Sequence, residues 1–143
     1  MRCLLDASAL LPVATKHGRS LLTETRDNWF AITDLAIYEA CNGLWKMAYL
    51  LQQVSIEDAK EIVSVIRVLV DREMLHLLSV SELELASTFE LAIRRKLTYY
   101  DASYVSAAKR TDTALVTQDA ALAKAARELV EVLTVEDFEG KLS

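Results

Sequence analysis

Five short apolar runs, separated by longer segments of helical period, limit what this chain can fold into. They are Arg2 to Leu5, Trp29 to Thr33, Leu75 to Val80, Ala114 to Thr117 and Val132 to Val135, each short enough for a buried strand. The segments between them read as helices. Strands alternating with helices require parallel pairing with right-handed crossovers, which predicts an α/β three-layer sandwich around a five-stranded parallel sheet. Ligands of such open sheets bind beyond the carboxyl ends of the strands, where the strand order reverses. The first strand ends at Asp6 and the fourth is followed by Asp119, so neighbouring first and fourth strands would bring both acids to that point.

The helical segments carry their own punctuation. Leu35 to Leu51 has Leu35, Tyr38, Cys41, Leu44 and Trp45 at apolar-face spacing, with Asp34 as the expected N-cap. Ser55 with Asp58, Ser81 with Glu84, and Thr98 with Asp101 make capping-box patterns. They open helices expected to run to Arg72, Lys96 and Arg110. Ala7 to Leu11 reads as a short helix, Asp119 to Leu129 as an alanine-rich one, and Val135 to Lys141 as a final short turn.

At 143 residues and 52% hydrophobic, with 3 Gly and 1 Pro, the chain fits a single domain over 1–143 with one core and no linker. The apolar runs are too short to cross a bilayer, and Asp6 interrupts any signal-peptide core, so a cytoplasmic protein is expected. Cys3 and Cys41 lack zinc-site spacing and are expected as buried free thiols. A net charge of −5 argues against a broad grip on nucleic acid but leaves room for a local basic rim. Arg94, Arg95 and Lys96 form the densest basic run, and solvated helix ends explain them adequately.

Four carboxylates remain, each at a helix start or within a helix: Asp6, Glu39, Asp101 and Asp119. Acids gathered within a few ångströms repel one another, and a fold that does this usually neutralises them with a hard divalent cation. Each also has a structural reading. Asp6, Asp101 and Asp119 suit helix caps, with Ser8 able to support Asp6. Glu39 is the hardest to explain so, lying within the apolar stretch Ile37, Tyr38, Ala40, Cys41, with Asn42 three residues on and able to orient it.

Asp6-Ala-Ser8, Glu39 with Asn42, Thr98-Tyr-Tyr-Asp101-Ala-Ser, and Thr117-Gln-Asp119 followed by Ala120-Ala-Leu-Ala-Lys124 come in an order that resembles the PIN-domain family, within it the VapC-like toxins. The resemblance spans essentially the whole chain. It implies a sheet in the order 3-2-1-4-5 and a metal-dependent endoribonuclease leaving 5′-phosphate and 3′-hydroxyl ends. Asp6, Glu39, Asp101 and Asp119 match the family's acidic positions, and Ser8 and Thr117 its polar supporting ones. Mg²⁺ or Mn²⁺ is the expected cofactor, on Asp6, Asp101 and Asp119, with Glu39 acting through a water. RNA is the expected substrate, and a cognate antitoxin and a second copy of the chain are the expected partners. His17, read as a loop residue, and His76, read as a strand residue, are expected to take no catalytic part.

Three rival classes fit the sequence less well. A non-catalytic PIN-like module binding RNA or protein would not need four intact acids. A phospho-acceptor receiver domain needs an acceptor acid after the third strand, where this chain has Ser79-Val80-Ser81, and a lysine after the fifth, where it has Thr134-Val135-Glu136. A haloacid-type phosphatase wants an acid two residues after the first, where this chain has Ser8.

Overall fold

The computed structural model describes residues 1–24 and 27–142. Strand β1 (Arg2–Leu5) leads into α1 (Ala7–Leu21), and β2 (Trp29–Thr33) into α2 (Asp34–Trp45), which ends in a π-helical turn at Lys46–Leu50. Then come α3 (Ile56–Asp71), β3 (His76–Leu78), a 3-10 turn (Val80–Glu82), α4 (Leu85–Arg95) and α5 (Tyr99–Thr111). The chain finishes with β4 (Ala114–Val116), α6 (Ala120–Ala126), β5 (Val132–Leu133) and α7 (Val135–Leu142).

All pairings are parallel and the order is β3-β2-β1-β4-β5. The chain therefore winds outward from β1 through β2 to β3, then returns to β4 on the other side of β1. Right-handed crossovers taken in opposite directions put their helices on opposite faces of the sheet. α1 packs with α2, α3 and α7, whereas α5 lies on β1 and β4 and pairs with α4. Leu4, Leu5, Leu115 and Val116, in the two adjacent strands β1 and β4, have no solvent exposure. Phe30 of β2 meets Phe138 of α7 edge-on at 5.2 Å and closes the core near the chain's end.

The strand expectations hold in place and in order, and β1 and β2 keep their expected bounds. The last three strands are shorter than expected: β3 is His76–Leu78, β4 Ala114–Val116 and β5 Val132–Leu133. β5 pairs through only two positions, Val132 with Leu115 and Leu133 with Val116.

The helix expectations need four corrections. α1 does not stop at Leu11 but continues through Pro12 to Leu21, so His17 is helical rather than in a loop. A proline inside a helix costs about 3 kcal/mol. Burial of Val13, Ala14, Gly18 and Leu21 beyond it offsets that cost. The N-cap of α2 is Thr33, whose hydroxyl accepts from the Ala36 N–H, and Asp34 falls inside the first turn. The capping box expected at Ser81 and Glu84 forms two residues earlier, at Ser79 and Glu82, on the 3-10 turn, and α4 starts without a side-chain cap. The last element, expected as a turn, is the helix α7. Ser55 and Thr98 cap α3 and α5 as expected, their hydroxyls accepting from Asp58 N and Asp101 N, while the full reciprocal box is seen at Ser79 and Glu82.

At the amino ends of the strands Arg2 lies over the Trp29 ring at 4.4 Å, and Trp29 stacks on His76 at 4.9 Å. His76 is thus in β3, as expected, at the edge of the sheet opposite the acids. His17 Nε2 lies 3.1 Å from Glu139 Oε1 and ties α1 to α7. Cys3 is buried in β1, and burial pushes its thiol up to about 11. Cys41 is only half-buried, a correction to its expected burial, because α2 carries it on an exposed apolar face.

α1 and α3 approach closely at Gly18. A Cβ there would stand 2.3 Å from Val65 Cγ1. Valine has one strongly preferred rotamer in a helix, so it cannot swing aside cheaply. Gly18→Ala should therefore lower stability by about 1–2 kcal/mol despite its better helix propensity. In urea unfolding, the double variant with Val65→Ala should lose less than the sum of the two single losses.

Candidate active site

The carboxyl ends of β1 and β4 are stitched together through one carboxylate. Asp6, the residue after β1, has extended backbone angles (φ −78°, ψ 177°) and caps α1. Its main-chain N–H continues the sheet by donating to Val116 O at 3.1 Å. The residue is only 3% exposed. Oδ1 accepts from Ser8 Oγ at 2.7 Å and from Ala9 N at 2.9 Å, and Oδ2 accepts from Thr117 Oγ1 at 2.5 Å. Ser8 Oγ in turn accepts from Gln118 N at 2.8 Å, and Thr117 Oγ1 accepts from Asp119 N at 3.0 Å. The Asp-x-Ser and Thr-x-Asp segments are thus two halves of one hydrogen-bonded web.

Asp119 caps α6 through Oδ1, which accepts from Ala121 N at 2.9 Å and Leu122 N at 3.1 Å. Asp101 sits in the first turn of α5, where Thr98 Oγ1 accepts its N–H at 3.1 Å. Glu39 comes from α2, across the mouth of the sheet. Its Oε1 accepts from Tyr104 Oη at 2.6 Å, and Tyr104 is itself buried, one helical turn beyond Asp101 on α5. Among the described residues, Oδ2 of Asp119 and Oε2 of Glu39 take part in no protein hydrogen bond.

Electrostatics joins what hydrogen bonds do not. Burial, and then the charges of Asp119, Glu39 and Asp6, push the Asp101 carboxyl above its ordinary value. Burial also raises Asp6, and the Asp119 charge adds to it. Bonds from Ser8, Thr117 and Ala9 pull the other way without cancelling the rise. The Tyr104 hydroxyl is driven well above its normal range by burial and by its bond to Glu39.

Of the residues singled out in the sequence, Asp6, Ser8, Thr117 and Asp119 are directly linked, and Asp101 and Glu39 are coupled to them by charge. Asn42 is exposed on α2, as Glu39 is, and the hydroxyl that holds Glu39 is that of Tyr104. Tyr104 was legible as the residue one turn after Asp101, but only the packing of α5 beside α2 gives it Glu39 as a partner. The cap readings of Asp6 and Asp119 are correct as well. Capping uses Oδ1 of each, so cap and ligand are compatible roles.

Among the described residues, no three acidic, histidine or cysteine side chains stand close enough to form a ready-made metal cage. The donor set nonetheless suits a hard cation: four carboxylates that repel one another, with free oxygens on two and no soft ligand. Mg²⁺ or Mn²⁺ fits that chemistry, and Asp6, Asp101 and Asp119 are residues that could hold it.

The chain is similar to known proteins over nearly its whole length. Residues 3–128 match the PIN domain. Exonuclease VapC9 of Pyrobaculum aerophilum is 33% identical over 135 residues, covering 92% of this chain and 91% of that protein. The crystal structure of PAE2754 from the same organism superposes with a TM-score of 0.75 at 32% identity, covering 99% of this chain and 89% of that one. VapBC2 of Rickettsia felis, solved with a promoter DNA fragment, shares the fold at a TM-score of 0.63 and 16% identity, covering 94% and 98%.

Because folding raises the Asp6 and Asp101 pKa values, keeping both ionised costs stability. That cost is absent below about pH 4 and grows as the pH rises through the raised values. Asp101→Asn should accordingly raise the Tm of metal-free protein by a few degrees at pH 7, and the gain should vanish near pH 3. Mg²⁺ should raise the Tm of the wild type and leave that of Asp101→Asn nearly unchanged in differential scanning fluorimetry.

Proposed function

This chain belongs to the PIN-domain family, and on that premise we propose that it is a metal-dependent endoribonuclease, the toxin of a type II toxin-antitoxin pair, acting as a single domain over 1–143. The observation that carries the reading is the web around Asp6, in which the two motif halves position one buried carboxylate beside three other acids. A structural cap needs one oxygen and one donor. Here both oxygens of Asp6 are held, and Asp119 and Asp101 are coupled to it by charge, an electrostatic cost that a cap would not require.

Asp6, Asp101 and Asp119 are the proposed holders of Mg²⁺ or Mn²⁺. When bound, such a cation acidifies a coordinated water and neutralises charge on a phosphodiester. The protein's part is orientation. Ser8 and Thr117 fix the Asp6 carboxylate, and Tyr104 anchors Glu39 through Oε1, leaving Oε2 to accept a proton from the attacking water. In-line attack then releases the 3′-oxygen and leaves a 5′-phosphate.

A cognate antitoxin is the proposed partner of the α2–α3 side. Trp45, Tyr49, Ile56 and Val63 are 52%, 67%, 65% and 40% exposed there. They line a groove of about 490 Å³ together with Cys41, Leu44 and Ala59. Exposed apolar surface of this kind marks a partner site. A homodimer in the cytoplasm completes the proposal, and among the described residues no helix is long and apolar enough to cross a membrane.

The relative's name favours a second reading, cleavage from an end, and circular RNA separates the two. The chain should cut circular and linear single-stranded RNA alike, only with Mg²⁺ or Mn²⁺ present. Asp6→Asn and Asp101→Asn should each lose activity by on the order of 10³-fold. Cutting of linear RNA alone would establish the exonuclease reading, and EDTA-resistant cleavage would refute the metal. Tyr104→Phe, which frees Glu39 but leaves every acid in place, should lower kcat by roughly 10-fold with KM unchanged.

A further inference from the structure

We propose that the recess between α4 and α5 binds a backbone phosphate of the RNA strand, away from the bond that is cut. The inference rests on the proposed function for the identity of the strand, and on the recess itself for the anion site.

Two helices bring their cations to this recess. Arg94 comes from the last turn of α4, and Lys109 and Arg110 from the last turn of α5. Together with Glu84, Ser87 and Ser106 they line a cavity of about 180 Å³. Ser106 Oγ lies 3.0 Å from Thr88 Oγ1, a bond that ties the two helices together beside it. Among the described residues, Arg94, Lys109 and Arg110 make no ion pair, whereas the neighbouring Arg95 pairs with Glu128. Glu84 pairs with none of the three, so the lining sets three positive charges against one negative.

A favourable place near a helix carboxyl end explains each base singly. It does not explain why two helices bring theirs to one recess, where like charges repel. An anion removes that cost. Arginine offers paired N–H donors that match phosphate oxygens, and lysine adds a point charge. The cavity is smaller than the roughly 300 Å³ at which small-molecule pockets begin. It therefore suits one phosphate group with the rest of its chain outside.

The acid site supplies that chain. Asp101 stands in the first turn of α5, and Lys109 and Arg110 lie eight and nine positions further on, which is about 12–14 Å along the helix axis. A nucleic-acid strand carries a phosphate about every 3.4 Å, so a strand cut at the acids presents another phosphate at the recess roughly four nucleotides away. Four carboxylates and a net charge of −5 repel a polyanion, and a local group of cations offsets that repulsion.

Fluorescence anisotropy of the full chain with a labelled single-stranded RNA long enough to span both places tests this, in EDTA so that no cleavage is needed. Arg94→Gln with Arg110→Gln should weaken binding by on the order of 10-fold and make the slope of log affinity against log salt shallower by about 1. Lys46→Gln with Lys60→Gln, the same change of charge on the α2–α3 side, should leave both unchanged. Affinity and slope unaltered in the Arg94 and Arg110 variant, or a wild type that binds no RNA, overturn the proposal. Inorganic phosphate held as tightly as the RNA overturns the RNA as the source of the anion. RNA that binds through the recess yet stays intact when Mg²⁺ is added refutes the nuclease reading and keeps the phosphate site.

Discussion

The carboxylate of Asp6 is the contact on which the carboxyl edge of this sheet depends. It is buried between the two adjacent strands β1 and β4, and an ionised group in such a place is tolerated only with donors around it. Three arrive from three directions: Ser8 and Ala9 from the start of α1, and Thr117 from the end of β4. The same atoms therefore cap a helix, close the strand pair and fix an acid in position. Topology makes this economical. β1 is the strand from which the chain winds first one way and then the other, so the crevice at its carboxyl end is open by construction.

Around Asp6 the fold concentrates charge of one sign. Asp119 comes from the N-cap of α6 and Asp101 from the first turn of α5, and Glu39 reaches in from α2 on a tether to Tyr104. Burial and mutual repulsion raise two of the four carboxyl groups, a cost the isolated chain bears without compensation. The surface has a matching feature in its two exposed apolar stripes, on α2–α3 and on α4. Both are features the isolated chain keeps at a free-energy cost.

Much of this was legible in the sequence where a local rule decides the outcome. β1 and β2 were readable to the residue because an acid follows each apolar run directly. The caps at Ser55, Thr98 and Asp119 were readable because a cap is a contact between residues two or three positions apart. Local rules failed where packing overrides them. Pro12 reads as a helix end, yet α1 continues because the far side of Pro12 is buried against α3. Ser81 with Glu84 and Ser79 with Glu82 have similar capping signatures, and the geometry leaving β3 selects the earlier pair.

By itself, then, the sequence determined the alternation of strands and helices, the chemistry of the four acids and their positions at element ends, because these follow from side-chain period and from neighbours in the chain. Only the tertiary structure decided which groups meet. Thr117 reaches Asp6 across 111 positions of chain, and Tyr104 reaches Glu39 across 65. The hydroxyl that holds Glu39 comes from α5, a partner that no spacing within α2 could name. Contacts of such separation depend on strand order and helix packing, and no local spacing encodes them.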